Sequence, residues 1–87
     1  MKLETDRIVN ANAAALLQSG EAAIRGGDAS IDLSSVQRCD SSAVALVLAW
    51  ERVARAGGLK LQLQGVPPSL RSLATLYGVD SLIAVAS

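Results

Sequence analysis

The stretch from Ser30 to Arg55 constrains the fold more than any other part of the chain. Ile31 and Leu33 alternate with polar neighbours, which is the two-residue period of a half-buried β-strand. From Ala43 to Ala54 the apolar residues instead recur at the three- and four-residue spacing of a helix. Between these segments lies Asp40-Ser41-Ser42, whose short polar side chains can accept a hydrogen bond from the first turn of a helix. The sequence therefore predicts a buried strand, a short loop and a helix that begins at this triplet.

The rest of the chain continues the alternation of strands and helices. The patterns predict an edge strand near Lys2–Thr5, a helix capped by Asn10 or Asn12 and ending near Arg25, a strand at Leu59–Gln64, a short helix after Pro67-Pro68 that Gly78 closes, and a last edge strand at Leu82–Ala86. Strands that alternate with helices are typical of parallel sheets. We therefore expect a single α/β domain over residues 1–87, with a small, mostly parallel sheet of about four strands and three to four helices.

Composition narrows the range of functions. Hydrophobic residues make up 51% of the 87 residues, and the formal net charge is zero. A neutral chain lacks the basic surface with which proteins bind nucleic acids, and Trp50 and Tyr77 are too few aromatic residues for a base-stacking surface. The high apolar share suggests instead that part of the surface faces a partner.

Residue types also argue against cofactors and membrane insertion. Cys39 is the only cysteine and the chain has no histidine, so we expect neither an intramolecular disulfide nor a metal site. The segment Met1–Asn10 has no apolar core of the signal-peptide type. The longest apolar run, Ala43–Trp50, is far shorter than the ~20 residues of a membrane span. We expect a cytoplasmic protein without a cofactor.

Few residues could carry catalysis. Without histidine there is no Ser-His-Asp triad. Asp32 and Asp40 could form an acid–base pair, but an outward strand position and a helix cap explain them more simply. Cys39 could be a reactive thiol near a helix N-terminus, although the pattern favours a small buried residue. Trp50 could anchor an interface, but its place on an apolar helix face favours the core.

The run Ile31–Leu46 resembles the signature of STAS domains, named after sulphate transporters and anti-sigma factor antagonists. That signature is a strand of the form I-D-L/F-S, a loop, and D-S/T-x-G-L at the start of a helix. Leu61–Val66 and Leu73–Val79 look like the strand and last helix of one branch, MlaB, the STAS subunit of the Mla phospholipid-transport ABC complexes. The resemblance implies a STAS fold whose first strand is shortened.

The resemblance also assigns roles to the loop. In antagonists of the sigma-regulation type, an anti-sigma kinase phosphorylates the hydroxyl residue after the aspartate, a position that Ser41 occupies here. In the MlaB branch the same position contacts the ATPase subunit MlaF. Ser42 takes the variable place, and Ala43 and Val44 replace the usual glycine and leucine. A methyl group at Ala43 could restrict close approach by a kinase, which favours a packing interface.

The resemblance therefore implies a non-enzymatic subunit of a phospholipid-transport ABC complex, held at the inner membrane through its MlaF-like ATPase. The residues expected to bind this partner surround the helix start: Gln37, Arg38, Asp40, Ser41, Ser42, Ala43 and Val44. The alternative is an anti-sigma factor antagonist that phosphorylation of Ser41 regulates. A hydrolase that uses Asp32, Asp40 and Ser41 is a third hypothesis, for which the chain offers no obvious base.

Overall fold

The computed structural model describes residues 1–78 and the short strand Val85–Ala86. Its elements follow in the order β1 (Arg7–Ile8), α1 (Asn10–Arg25), β2 (Ser30–Asp32), β3 (Arg38–Cys39), α2 (Ser41–Ala56), β4 (Gln62–Gln64), α3 (Pro68–Leu76) and β5 (Val85–Ala86). The predicted single α/β domain is confirmed. Among the described helices, none is both long and apolar enough to cross a membrane.

Within the described part of the chain, the strands form two small sheets in which every pairing is parallel. One sheet has the order β2-β4-β5, and the other consists of β1 and β3. The predicted strand at Lys2–Thr5 is reduced to an isolated bridge between Lys2 and Asp32, and the first strand lies later, at Arg7–Ile8. The sequence did not predict β3, because two residues are too few to show an alternating pattern.

The core confirms the alternation read from β2 and β4. Ile31, Leu33, Leu61 and Leu63 are completely buried, whereas Gln62 and Gln64 are exposed. Each such aliphatic side chain contributes about 1.5–3 kcal/mol when it leaves water. Residues 82–84 of the predicted last strand lie outside the described part of the chain, but Val85–Ala86 pairs with β4.

Trp50 is the largest side chain of the core and joins α2 to α1. It is completely buried, and its indole N–H donates to the carbonyl of Leu17 at 3.3 Å. The ring packs against Gly20 so closely that a Cβ atom at that position would lie 2.1 Å from the indole nitrogen. Trp50 is therefore a core residue, as its helical position predicted, and Gly20 lets the two helices approach each other.

The helix ends agree with the predicted signals except at the start of α1. Val9, not an asparagine, occupies the N-cap position, and its backbone N–H donates to Asn12 Oδ1 at 3.0 Å. Gly26 and Gly57 follow the last turns of α1 and α2, and Pro68 is the first residue of α3. These ends place the N-termini of α1 and α2 near each other, beside β1 and β3.

Candidate functional site

The site is built around Asp40, which links β3 to α2. The backbone N–H of Asp40 donates to the carbonyl of Ile8 at 3.1 Å, which continues the pairing of β3 with β1. Asp40 has an extended backbone and α2 begins at the next residue, Ser41. The loop is therefore held by a strand on one side and by a helix on the other.

The carboxylate of Asp40 caps both helices at once. Oδ1 accepts from the backbone N–H of Ser42 at 2.8 Å and also from the Ser42 hydroxyl, while Oδ2 accepts from the backbone N–H of Asn10 at 3.2 Å. The predicted capping of α2 is confirmed, and the contact with α1 is additional. These hydrogen bonds, first those from Ser42 and then that from Asn10, hold the pKa of Asp40 below its ordinary value. Asp40 is therefore ionised at neutral pH.

The two serines of the loop differ in their hydrogen bonds. The hydroxyl of Ser42 donates to Asp40 and its side chain is partly buried. Ser41 is exposed, and within the described residues its hydroxyl has no hydrogen-bond partner. Ser41 is thus the hydroxyl that the fold leaves available to another molecule.

Ser41 stands at the end of an apolar groove between α2 and α3. The groove has a volume of about 340 Å³ and is lined by Ser41, Val44, Ala45, Leu48 and Tyr77. Tyr77 is 54% exposed and its neighbour Leu76 is 77% exposed. Among the residues that the structure describes, no charged side chain lines this groove. We call it the α2–α3 groove.

A second groove runs along the other side of α2, against α1. Its lining consists of small or uncharged residues: Asn10, Ala13, Ala14, Leu17, Ser42, Ala45, Leu46 and Ala49. Ala45 lines both grooves, which therefore adjoin each other along the exposed ridge of α2. We call this second one the α1–α2 groove.

The structure separates the residues predicted to bind a partner into two groups. Gln37, Arg38, Asp40 and Ser41 are exposed, and Ser42 is partly buried. Ala43 is completely buried and Val44 is only 6% exposed. The methyl group of Ala43 packs in the core, so the predicted partner contact at this residue finds no exposed surface in this structure. Val44 belongs to the core as well and reaches the surface only as part of the α2–α3 groove.

Two residues of this surface were missed by the sequence reasoning. Neither Leu76 nor Tyr77 was among the residues predicted to bind a partner. The stripe of α3 is formed by Leu70, Leu73 and Ala74, and Leu76 does not share its spacing. An apolar residue outside the buried stripe of a short helix was the available signal.

The alternative catalytic arrangements find no support in the geometry. The carboxylate of Asp32 accepts from the backbone N–H of Ser34 at 2.8 Å, and hydrogen bonds from Ser34 lower its pKa. The pKa of Asp40 is lowered too, so neither aspartate is the raised-pKa acid that an acid–base pair requires. Burial raises the pKa of the Cys39 thiol, which disfavours a reactive thiolate. Within the described residues, no three acidic, cysteine or histidine side chains are grouped as metal ligands would be.

Known proteins resemble this chain in sequence family and in fold. The family described as "Mlab, STAS domain" matches residues 5–84. The anti-sigma factor antagonist SpoIIAA, in its unphosphorylated form, has a similar structure, with a TM-score of 0.72 and 21% identity over 99% of this chain and 76% of SpoIIAA. A proposed anti-sigma factor antagonist from Thermotoga maritima gives a TM-score of 0.77 at 16% identity, covering 99% of this chain and 77% of that one.

No curated protein sequence matches the chain significantly. The two structural likenesses, both below 25% identity, establish the fold, and the sequence match extends over almost the whole chain. STAS domains interact with partner proteins of the kinase or ATPase type and are generally not enzymes. The chain therefore belongs to the MlaB-like STAS domain family.

Proposed function

We propose that this protein is a non-enzymatic subunit that binds the ATPase of a phospholipid-transport ABC complex and supports its assembly or activity. The observation that carries the proposal is the exposed Ser41 hydroxyl at the end of the α2–α3 groove, whose described lining residues are all uncharged. Membership of the MlaB-like family favours a transport ATPase as the partner. Through that partner the protein would lie at the cytoplasmic face of the inner membrane.

The composition of the groove suits a protein partner. Tyr77 lines the groove, and its neighbour Leu76 lies outside that lining; both expose apolar surface that loses contact with water when another chain covers it. Tyrosine and other aromatic residues often contribute most of the binding energy at the centre of an interface. Ser41, which lines the groove together with Tyr77, can add one hydrogen bond, while Asp40 and Ser42 already bond to each other. Apolar contact would thus supply affinity, and Ser41 would orient the partner.

The same geometry makes Ser41 sensitive to added charge. A phosphate brings a charge of about −2, and covering it at an apolar interface without a cation is strongly unfavourable. The ionised carboxylate of Asp40, the preceding residue, would repel it further. A modification or an acidic substitution at Ser41 is therefore expected to weaken partner binding without altering the fold.

Acidic substitution at Ser41 tests the proposal. Ser41→Glu should weaken binding to the cognate ATPase at least tenfold, which corresponds to about 1.4 kcal/mol, and should lower ATPase activity in the assembled complex. Binding is measured by calorimetry or by interferometry on purified proteins. Ser19→Glu is the matched control, because Ser19 is an exposed helical serine that lines neither groove. Unchanged affinity and ATPase rate with Ser41→Glu would refute this function.

A second candidate function is that of an anti-sigma factor antagonist controlled by phosphorylation. The specific observation in its favour is that Ser41, but not Ser42, has a hydroxyl free to be modified. The fold shared with SpoIIAA is compatible with this role. Incubation with a cognate anti-sigma kinase and ATP should then add one phosphate, which peptide mass spectrometry would locate at Ser41.

The two candidates predict different partners in the cell. Affinity purification of the tagged protein from its native cell should recover an ABC ATPase with its permease if the first is right. Recovery of an anti-sigma kinase, with a phosphorylated Ser41 peptide, would favour the second. The Ser41 peptide can be examined in the same experiment.

A further inference from the structure

We propose that Asp40 is a positioning residue whose carboxylate ties the Ser41 loop to the start of α1, so that the two grooves form one rigid binding surface. The tie itself concerns only this chain. Its consequence for partner binding rests on the function proposed above.

The contacts of Asp40 lie on both sides of the residue that caps α1. Its backbone N–H donates to the carbonyl of Ile8, and its Oδ2 accepts from the N–H of Asn10 at 3.2 Å. Asp40 therefore holds the residues on both sides of Val9, the N-cap of α1. Asp40 and Asn10 are 30 residues apart in sequence, so the hydrogen bond between them joins distant parts of the chain.

The other carboxylate oxygen of Asp40, Oδ1, accepts hydrogen bonds from α2 rather than from α1. Oδ1 accepts from the N–H of Ser42 at 2.8 Å and caps α2 in the ordinary way. A serine or asparagine at position 40 would be enough for this cap, because one oxygen can accept that bond. A carboxylate has two acceptor oxygens and no donor, and both are used here, one for each helix.

The shared carboxylate bears on binding because the grooves meet along α2. The α1–α2 groove begins at Asn10 and Ser42, which are the two residues whose N–H groups Asp40 accepts. The α2–α3 groove begins at Ser41, which lies between Asp40 and Ser42 in sequence. If α1 loosens at Asn10, a partner that covers both grooves must order this surface as it binds, and that ordering reduces affinity.

Asp40→Asn distinguishes the hydrogen bond that caps α2 from the hydrogen bond that reaches α1. The amide has one acceptor oxygen, and its NH2 group is a donor that cannot accept from a backbone N–H. We expect the oxygen to keep the shorter bond to Ser42, so that only the bond to Asn10 is lost. Asp32→Asn is the matched control: it removes the same charge and keeps an acceptor for Ser34, yet Asp32 makes no hydrogen bond to α1.

The first measurement is amide hydrogen exchange by NMR on the whole chain. In Asp40→Asn, exchange at Asn10 should become about tenfold faster, while Ser42 keeps its protection and Asp32→Asn leaves both unchanged. Asp40→Ser provides a second variant, because its single hydroxyl can cap α2 but cannot serve both helices. A protected Asn10 amide in either Asp40 variant, or equal loss in Asp32→Asn, would overturn the proposed tie.

The second measurement is affinity for the cognate ATPase. Asp40→Asn should weaken binding about tenfold, with a circular dichroism spectrum like that of the starting protein, and Asp32→Asn should bind normally. Faster exchange at Asn10 with unchanged affinity would show that Asp40 is merely structural. If the unaltered protein fails to bind any ATPase, the proposed function is wrong, and hydrogen exchange alone then decides whether the tie exists.

Discussion

Replacing Gly20 by alanine should destabilise the protein, although alanine is the better helix former. An added Cβ would lie 2.1 Å from Nε1, 2.4 Å from Cε2 and 2.9 Å from Cδ1 of Trp50. These distances are too short for atoms that are not bonded, and Trp50 is completely buried, so its ring has no open space to enter. Either the ring or α1 must move.

The expected magnitude follows from three contributions. Overpacking of a core costs about 1–3 kcal/mol, and loss of the Trp50–Leu17 hydrogen bond costs about 0.5–1.5 kcal/mol more. The helix propensity of alanine returns about 1 kcal/mol. We therefore expect a net loss of about 0.5–3.5 kcal/mol. For a domain of this size, each kcal/mol lowers the Tm by roughly 4–8 °C.

Urea unfolding, followed by the fluorescence of Trp50 and by circular dichroism, provides the assay. Gly57→Ala is the matched control, because Gly57 has a negative φ and its added Cβ would meet only ordinary contacts of 3.7 and 3.8 Å. Trp50→Phe removes the indole nitrogen and should make Gly20→Ala less damaging in a double-mutant cycle, which is followed by circular dichroism because Trp50 is the only tryptophan. A Gly20→Ala protein as stable as the unaltered one would refute this account of the helix contact.

Three further outcomes follow from the same structure. Gly65→Ala should lower the free energy of unfolding, measured in urea, more than Gly58→Ala does. Both glycines have a positive φ, but only at Gly65 would the new Cβ come within 2.8 Å of Ser34. Equal losses in the two variants would argue against that contact. The pKa of Asp40 is lower in the folded protein than in the unfolded chain, so the ionised carboxylate stabilises the fold fully above its unfolded pKa and loses this effect as pH falls through its folded pKa. Asp40→Asn should therefore flatten the acid limb of a curve of unfolding free energy against pH, and an unchanged limb would contradict this. Tyr77→Ser should weaken binding to the cognate ATPase. Because Tyr77 is more than half exposed, the free energy of unfolding should change by only about 0.5 kcal/mol, and normal binding would show that Tyr77 is not part of the interface.

Much of the candidate site could be predicted from local patterns. Asp40 and the start of α2 were recognisable because capping depends on residues two positions apart. The same helical spacing that placed Val47 and Trp50 in the core also applied to Ala43, so its burial was readable from the sequence. Ala43 was nevertheless assigned to the partner because it adjoins the motif in sequence, and adjacency in a helix does not mean a shared face.

The sequence by itself determined the elements whose signals are local. Alternation in β2 and β4, the apolar stripe of α2, and the glycines and prolines at helix ends each act within a few residues. Only the tertiary structure decided the pairing of β1 with β3, the contact of Gly20 with Trp50 and the second cap made by Asp40. Each of these joins residues about 30 positions apart, and such contacts form only when the helices and strands pack against one another.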